Sequence, residues 1–273
     1  MRIQESKTIT MPPIYICGDV HGQLNKLLRV LRENGLIRAN QSWNGGNAQL
    51  WFMGDFVDRG PDGIPAVELV MRLQREADAA GGAIHALMGN HELLFLSAHK
   101  FGKKGGFRQA WLRNGGEETD MERVTSHQMA WLQTLPAMAR FDDKLFIHAD
   151  ALFYSSYGRT VEQVNAAFAR LIFDDDMGTW ETMLDNFSER FAFYERITLI
   201  PTYSEGGGRA QQMLNIFGGK QIIHGHTPIV YMRDELPPEM VRTPFAYAND
   251  LAINVDGGMF MGGPGFLYRL PGT

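Results

Sequence analysis

Five times along this chain a short apolar run stops at a glycine or a histidine, with Asp, Asn or His close behind. The runs are Ile14-Tyr15-Ile16-Cys17, Ala48 to Met53, Ala83 to Met88, Leu145-Phe146-Ile147 and Gln221-Ile222-Ile223. The blocks behind them are Gly18-Asp19-Val20-His21-Gly22, Gly54-Asp55-Phe56-Val57-Asp58-Arg59-Gly60, Gly89-Asn90-His91-Glu92, His148-Ala149-Asp150 and His224-Gly225-His226-Thr227. Apolar runs this short, bounded by turn residues, read as buried strands. Helical patterns separate the first three. Gln23 to Asn34 carries Leu24, Leu27, Leu28 and Leu31 on one face, and Ile64 to Ala80 tolerates Pro65 in its first turn. Strand, polar turn and helix in repetition predict an α/β fold with its polar residues at the C-terminal ends of the strands.

The remainder is less regular. Residues 1–13 read as a polar lead-in. Residues 92–140 read as mostly helical, broken at Gly105-Gly106 and Gly115-Gly116, and 160–217 again as mostly helical. Ala252 to Val255 and Phe266-Leu267-Tyr268 read as closing strands around a glycine-rich turn. Asp174-Asp175-Asp176 reads as a turn or helix start. Gly206-Gly207-Gly208 reads as a flexible loop, since a phosphate-binding loop needs a Gly-Lys-Ser/Thr ending. With no linker and no repeat, residues 1–273 read as a single catalytic domain with helical insertions at about 92–140 and 154–217.

Composition narrows the classes. A length of 273 residues with 44% apolar content can bury a sizeable core. The formal net charge of -5 speaks against a broad nucleic-acid surface. No run is long enough to span a bilayer, and the N-terminus lacks a signal-type apolar stretch. Cys17 is the only cysteine, so no disulfide framework can form within the chain, which fits a reducing, cytoplasmic setting.

The polar blocks favour a metal site. Carboxylate, imidazole and amide oxygen together suit borderline divalent ions such as Mn, Fe, Zn or Co. An Asp-x-His pair leaving a strand can aim both side chains at one ion, and Asp55 could bridge two. Two ions about 3.5–4 Å apart clamp and activate a water for in-line attack on phosphorus.

GDxHG, GDxVDRG and GNHE, in this order, resemble the calcineurin-like metallophosphoesterases and, within them, the phosphoprotein phosphatase family. The His148 and His226 blocks look most like its bacterial and bacteriophage members. The resemblance runs from about Tyr15 to Tyr268 and is weak between Tyr154 and Lys220. It implies a β-sandwich flanked by helices and two divalent ions, Mn²⁺ foremost, with Fe or Zn permitted. It implies Asp19 and His21 as ligands of the first metal, Asp55 as the bridge, and Asn90, His148 and His226 as ligands of the second. His91 would be the general acid, polarised by Asp58, and Arg59 would clamp phosphate oxygens. The implied reaction is direct attack of a metal-bridging hydroxide on phosphoserine, phosphothreonine or a small aryl phosphate, without a phosphoenzyme. The implied partners are a phosphorylated protein or a small phosphoester, with no nucleic acid and no membrane.

Several positions depart from the pattern or stay open. Met88 stands where eukaryotic members carry Arg. No motif marks the family's second phosphate-binding Arg; Arg196 is the nominee, with Arg190 and Arg209 competing. Pro228 sits where many other metallophosphoesterases place a second histidine, so His224 is an extra residue, read as packing behind the ligands. Asp150 reads as a turn or supporting residue. His85, His99 and His127, and Trp43, Trp51, Trp111, Trp131 and Trp180, read as surface or packing residues. Lys100, Lys103 and Lys104 read as a solvated cluster. A dinucleoside polyphosphate hydrolase, such as a symmetric tetraphosphatase, is the alternative activity. A metal scaffold without turnover would require a lost catalytic residue, and none is lost.

Overall fold

The structure is a computed structural model and describes residues 11–195 and 206–273. Two sheets stand at its centre. Strands β1 (Ile14–Cys17), β2 (Gln49–Phe52) and β3 (Ala83–Ala86) run parallel, and β9 (Leu267–Arg269) pairs antiparallel with β1, giving the order β3-β2-β1-β9. In the second sheet β5 (Lys144–Ile147), β6 (Gln221–His224) and β8 (Ala252–Asn254) are parallel, while β4 (Met138–Phe141) and β7 (Phe245–Tyr247) close its two edges antiparallel.

Alternate strand residues divide between two cores, as the strand period of two requires. Ile14, Ile16, Trp51, Phe146, Ile223 and Ile253 share one apolar cluster drawn from both sheets, where the Trp51 ring lies flat on Phe146 at 4.7 Å between centroids. Cys17, Leu50, Phe52, Leu145 and Ile222 join the larger core with the helices. Each fully buried Leu, Ile or Phe contributes about 1.5–3 kcal/mol. A one-residue slip of a strand would exchange the two sets, so the register is firmly specified. The result is the α/β sandwich that the motifs implied, with the five polar blocks following β1, β2, β3, β5 and β6.

Helices α1 (Leu24–Glu33) and α2 (Gly63–Ala79) follow β1 and β2. The former buries Leu27, Val30 and Leu31. Next, α3 (Asn90–Phe101) begins inside the third polar block. It leads into α4 (Phe107–Arg113), α5 (Glu118–Arg123) and α6 (Ser126–Gln133). After β5 come α7 (Tyr154–Tyr157), α8 (Val161–Leu171), α9 (Met177–Phe187) and α10 (Gly206–Phe217), and α11 (Ile229–Met232) follows the last block. Lys100 is paired with Asp175 at 2.8 Å, joining the two helical regions. Among the described residues no helix is long and apolar enough to cross a membrane.

Two local expectations are corrected. Residues 138–141 form β4 where helix was expected to run to 140, and β7 was not foreseen. Gly206-Gly207-Gly208, expected as a loop, opens α10. Packing explains that helix despite glycine's poor propensity. A Cβ on Gly206 would lie 2.2 Å from the Phe193 carbonyl oxygen, and Gly207 N–H donates to Glu195 Oε1 at 2.9 Å. Asp176 does start a helix, its carboxylate accepting from Thr179 N–H at the head of α9.

Candidate metal centre

Each strand hands its block to the same end of the sandwich. There the chain adopts backbone conformations that ordinary residues avoid. His21 (φ 46°), Asp55 (55°), Asp58 (67°), Arg59 (63°) and His226 (67°) all lie in the left-handed region. Such residues cost about 1–3 kcal/mol each and persist only where the surroundings over-determine them. Here hydrogen bonds supply that determination. Buried Glu92 accepts from Asp55 N–H and Phe56 N–H at 2.7 Å and from Gly89 N–H at 2.9 Å. Asp55 Oδ1 accepts from His91 N–H at 2.9 Å, and both Asp19 oxygens accept from His226 N–H at 3.1 Å.

Two glycines act here through size. A Cβ on Gly89 would sit 2.1 Å from Asp55 Oδ1, and one on Gly225 would sit 2.2 Å from Asp19 Oδ1. Gly225→Ala therefore displaces the Asp19 carboxylate. Elemental analysis is expected to show the variant losing metal relative to wild type; undiminished metal content would refute Asp19 as a ligand.

Asp55 is the hub. Its carboxylate lies with His21 and His91 in one group of donor atoms, all within 4.8 Å of one another, and with His148 and His226 in a second. His21 Nδ1 faces the Val57 carbonyl at 3.1 Å, and His148 Nδ1 faces the Met53 carbonyl at 2.7 Å. With Nδ1–H donated to a carbonyl, each ring turns its Nε2 lone pair inward. His21 Nε2 then lies 3.5 Å from Asp55 Oδ2 and 3.9 Å from Asp19 Oδ2; His148 Nε2 lies 3.4 Å from Asp55 Oδ1. Asn90 Oδ1 is 3.0 Å from His148 Nε2 and 2.8 Å from His226 Nδ1. All six expected ligands thus converge on one buried volume.

Electrostatics favour a cation there. Burial, then the charges of Asp256 and Asp55, push Asp19 well above the usual carboxylate range. Burial also pushes Asp55 up, but the neighbouring His148, His91 and His21 hold it well below that range. Burial keeps His21 and His226 well below the usual imidazole range, hence neutral and able to donate a lone pair. His91 Nε2, His226 Nε2 and Asp256 Oδ2 are buried without a hydrogen-bond partner. Oxygen and imidazole donors, no thiolate, and unpartnered lone pairs at the hub fit borderline divalent ions.

Beside the hub stands a second constellation. His91 Nδ1 meets Asp58 Oδ2 at 2.8 Å, and the Trp111 indole donates to Asp58 Oδ1 at 2.7 Å. Burial raises Asp58 well above its usual value and lowers His91 to about 3. Arg59 is anchored by its backbone N–H to the Gly115 carbonyl at 2.7 Å, and its Nη1 lies 3.1 Å from His21 Nε2.

Residues 12–253 match the model of the calcineurin-like phosphoesterase family. The chain belongs to that family. The phosphoesterase shares 38% identity over 77 residues with Shewanella-like protein phosphatase 2 of Arabidopsis thaliana, covering 28% of this chain and 20% of that one. It shares 25% identity over 265 residues with the asymmetrical bis(5'-nucleosyl)-tetraphosphatase PrpE of Oceanobacillus iheyensis, covering 94% and 88%. In structure it is similar to the cold-active protein-tyrosine phosphatase of a psychrophilic Shewanella species, with a TM-score of 0.71 at 22% identity, over 95% of this chain and 75% of that one. The matches to the first four curated relatives span 20%, 25%, 24% and 44% of their lengths.

Among the nominees for a second arginine at this phosphoesterase centre, Arg190 donates to the His226 carbonyl. Arg209 reaches the Ala192 carbonyl at 3.3 Å. Arg196 lies outside the described residues. His224 has both nitrogens engaged, Nδ1 with the Gly225 carbonyl at 2.9 Å and Nε2 with the Tyr247 hydroxyl at 2.7 Å. Asp150 accepts from the Thr227 hydroxyl at 2.6 Å and from Phe191 N–H at 2.7 Å, tying the last block to the segment before the undescribed residues.

Sequence reasoning missed three contributors. Trp111 was assigned to packing, although its indole holds Asp58. Glu92 was quoted as part of a motif and given no task. Asp256 ends the apolar run Ile253-Asn254-Val255 before two glycines, the same signature as the five blocks, and it lies buried with its charge felt by Asp19. The signature itself was the available signal.

Proposed function

We propose that this phosphoesterase is a dimetal-dependent phosphomonoesterase acting on phosphoserine and phosphothreonine in proteins and on small aryl phosphates. The observation that carries it is the buried Asp58–His91 pair beside the Asp55 hub, with His91 Nε2 unpartnered. Asp19, His21 and Asp55 would hold one ion, and Asp55, Asn90, His148 and His226 the other; Mn²⁺ is the first candidate, and Fe or Zn suits the same donors. Bound there, the ions supply Lewis acidity and lower the pKa of water.

The chain's own groups do the rest. Arg59 offers a planar fork to phosphate oxygens, and Arg190, held from the segment after α9 on the His226 carbonyl, adds positive charge beside His91 and His226. Burial holds His91 down at about 3, but a phosphate dianion beside it would raise it. The protonated ring would then deliver its Nε2 proton to the leaving oxygen, a step that matters because a serine alkoxide leaves poorly. Asp58 fixes the ring through Nδ1, and Trp111 fixes Asp58. Cys17 is fully buried, and burial pushes its thiol far above the usual range, so it offers no nucleophile.

Hydrolysis of dinucleoside polyphosphates is the second reading. The full-length similarity to the Oceanobacillus tetraphosphatase favours it. A panel of phosphopeptides, aryl phosphates and dinucleoside tetraphosphates separates the two. The phosphopeptides are expected to show the higher kcat/KM; a preference of about 100-fold for the dinucleotide would reverse the assignment.

A further inference from the structure

Phe260 has no role in the reaction sketched above, yet it touches two residues of the centre. Its ring lies under the Arg59 guanidinium, with Cζ 4.3 Å from the ring centroid. It also meets the His21 ring in a T-shaped contact, with centroids 4.9 Å apart at 79°. Phe260 sits in a single helical turn, Met259–Met261, flanked by Gly258 and Gly262, both left-handed. A lone turn between glycines has little rigidity of its own.

The turn is fastened from outside. Lys26, half-buried on α1, reaches across to donate to the Met259 carbonyl at 2.6 Å and the Gly263 carbonyl at 2.9 Å. Arg29, one residue short of a helical turn further on, donates to the Pro264 carbonyl. From below, Asp256 Oδ1 accepts from Gly258 N–H at 2.8 Å, and Gly263 N–H closes onto the Gly258 carbonyl at 3.0 Å. Met259 is buried, so the turn is pinned on both faces and Phe260 is presented between them.

We propose that Phe260 is the positioning residue for Arg59, holding the guanidinium plane ready for a phosphate dianion, and that Lys26 sets Phe260. A guanidinium stacked on a ring loses rotamer freedom before the ligand arrives, and its N–H groups stay in the ring-parallel plane. In Arg59, Nη1 meets His21 Nε2 at 3.1 Å, which leaves the other N–H groups for an anion. Arg59 needs such a support, because its own backbone is strained and its stem is long. The proposal rests on the phosphoester reading of the centre.

The test is a cycle of Phe260→Leu, Arg59→Ala and the double variant in the metal-loaded protein. Titration calorimetry with inorganic phosphate is read beside steady-state kinetics on an aryl phosphate. Phe260→Leu is expected to weaken phosphate binding and raise KM about tenfold, with kcat and metal content little changed. Phe260→Trp is expected to restore wild-type binding. In the Arg59→Ala background, Phe260→Leu should add nothing. Lys26→Met should reproduce part of the Phe260→Leu defect. Wild-type phosphate affinity in Phe260→Leu, or additive losses in the double variant, would overturn the assignment while leaving the phosphoester reading intact. Failure of the wild-type protein to bind phosphate at all would overturn both.

Discussion

His91→Asn is expected to lower kcat about 10²- to 10⁴-fold on a phosphoserine peptide while metal content stays that of the wild type. The asparagine amide keeps a polar partner for Asp58 and the start of α3, but it cannot deliver the proton that Nε2 carries. The leaving group provides the sharper readout. An aryl phosphate with an acidic phenol needs less proton donation than serine, so its loss should be markedly smaller. Equal losses on both substrates would assign His91 to positioning, and activity unchanged with metal retained would remove it from the mechanism. Loss of metal would instead make His91 a ligand, as its place in a donor group with His21 and Asp55 permits geometrically.

The second large effect is on stability. Glu92→Ala strips four buried N–H groups, those of Asp55, Phe56, Gly89 and, at 3.4 Å, Val57, of their acceptor. A buried donor left without a partner costs about 1–3 kcal/mol. The sum, about 3–5 kcal/mol after relaxation, should lower Tm by about 10 °C in a chain this long. Thermal unfolding of metal-free protein is the measurement, since it separates the backbone effect from loss of ligand stabilisation. A Tm within about 2 °C of wild type would mean that water replaces the carboxylate. Glu92→Gln should fall between, because an amide offers one oxygen where the carboxylate offers two.

Strands β1, β2, β5, β6 and β8 were legible because each is buried on both faces and therefore reads as an apolar run closed by a turn residue. Strand β3, with Ala83 and His85 half-buried, was legible through the glycine and polar block that close it. The two unforeseen strands are the edges of the second sheet. Arg140 in β4 is exposed and breaks the run that would have marked that strand, and β7 is only three residues long, Phe245–Tyr247. Edge strands shed apolar character for good reason, since an apolar edge invites pairing with another chain. The candidate ligands were legible through motif order, and their convergence follows from parallel strands that all end on one side. Trp111 was invisible for the opposite reason. Its partner, Asp58, lies far away in sequence, and a tryptophan among apolar neighbours gives no sign of whether its indole N–H is engaged.

The left-handed backbone at His21, Asp55, Asp58, Arg59 and His226 has a consequence for how such a protein changes over generations. At His21, Arg59 and His226 glycine would relieve strain for a gain of roughly 1 kcal/mol each, whereas at Asp55 and Asp58 it would also strip the His91 N–H and the Trp111 indole of their acceptors. Selection for thermal endurance alone would therefore erode the centre, replacing working side chains by glycine and yielding hardier, inert proteins. Any lineage that keeps His21, Arg59 and His226 does so against a standing pull from its own backbone.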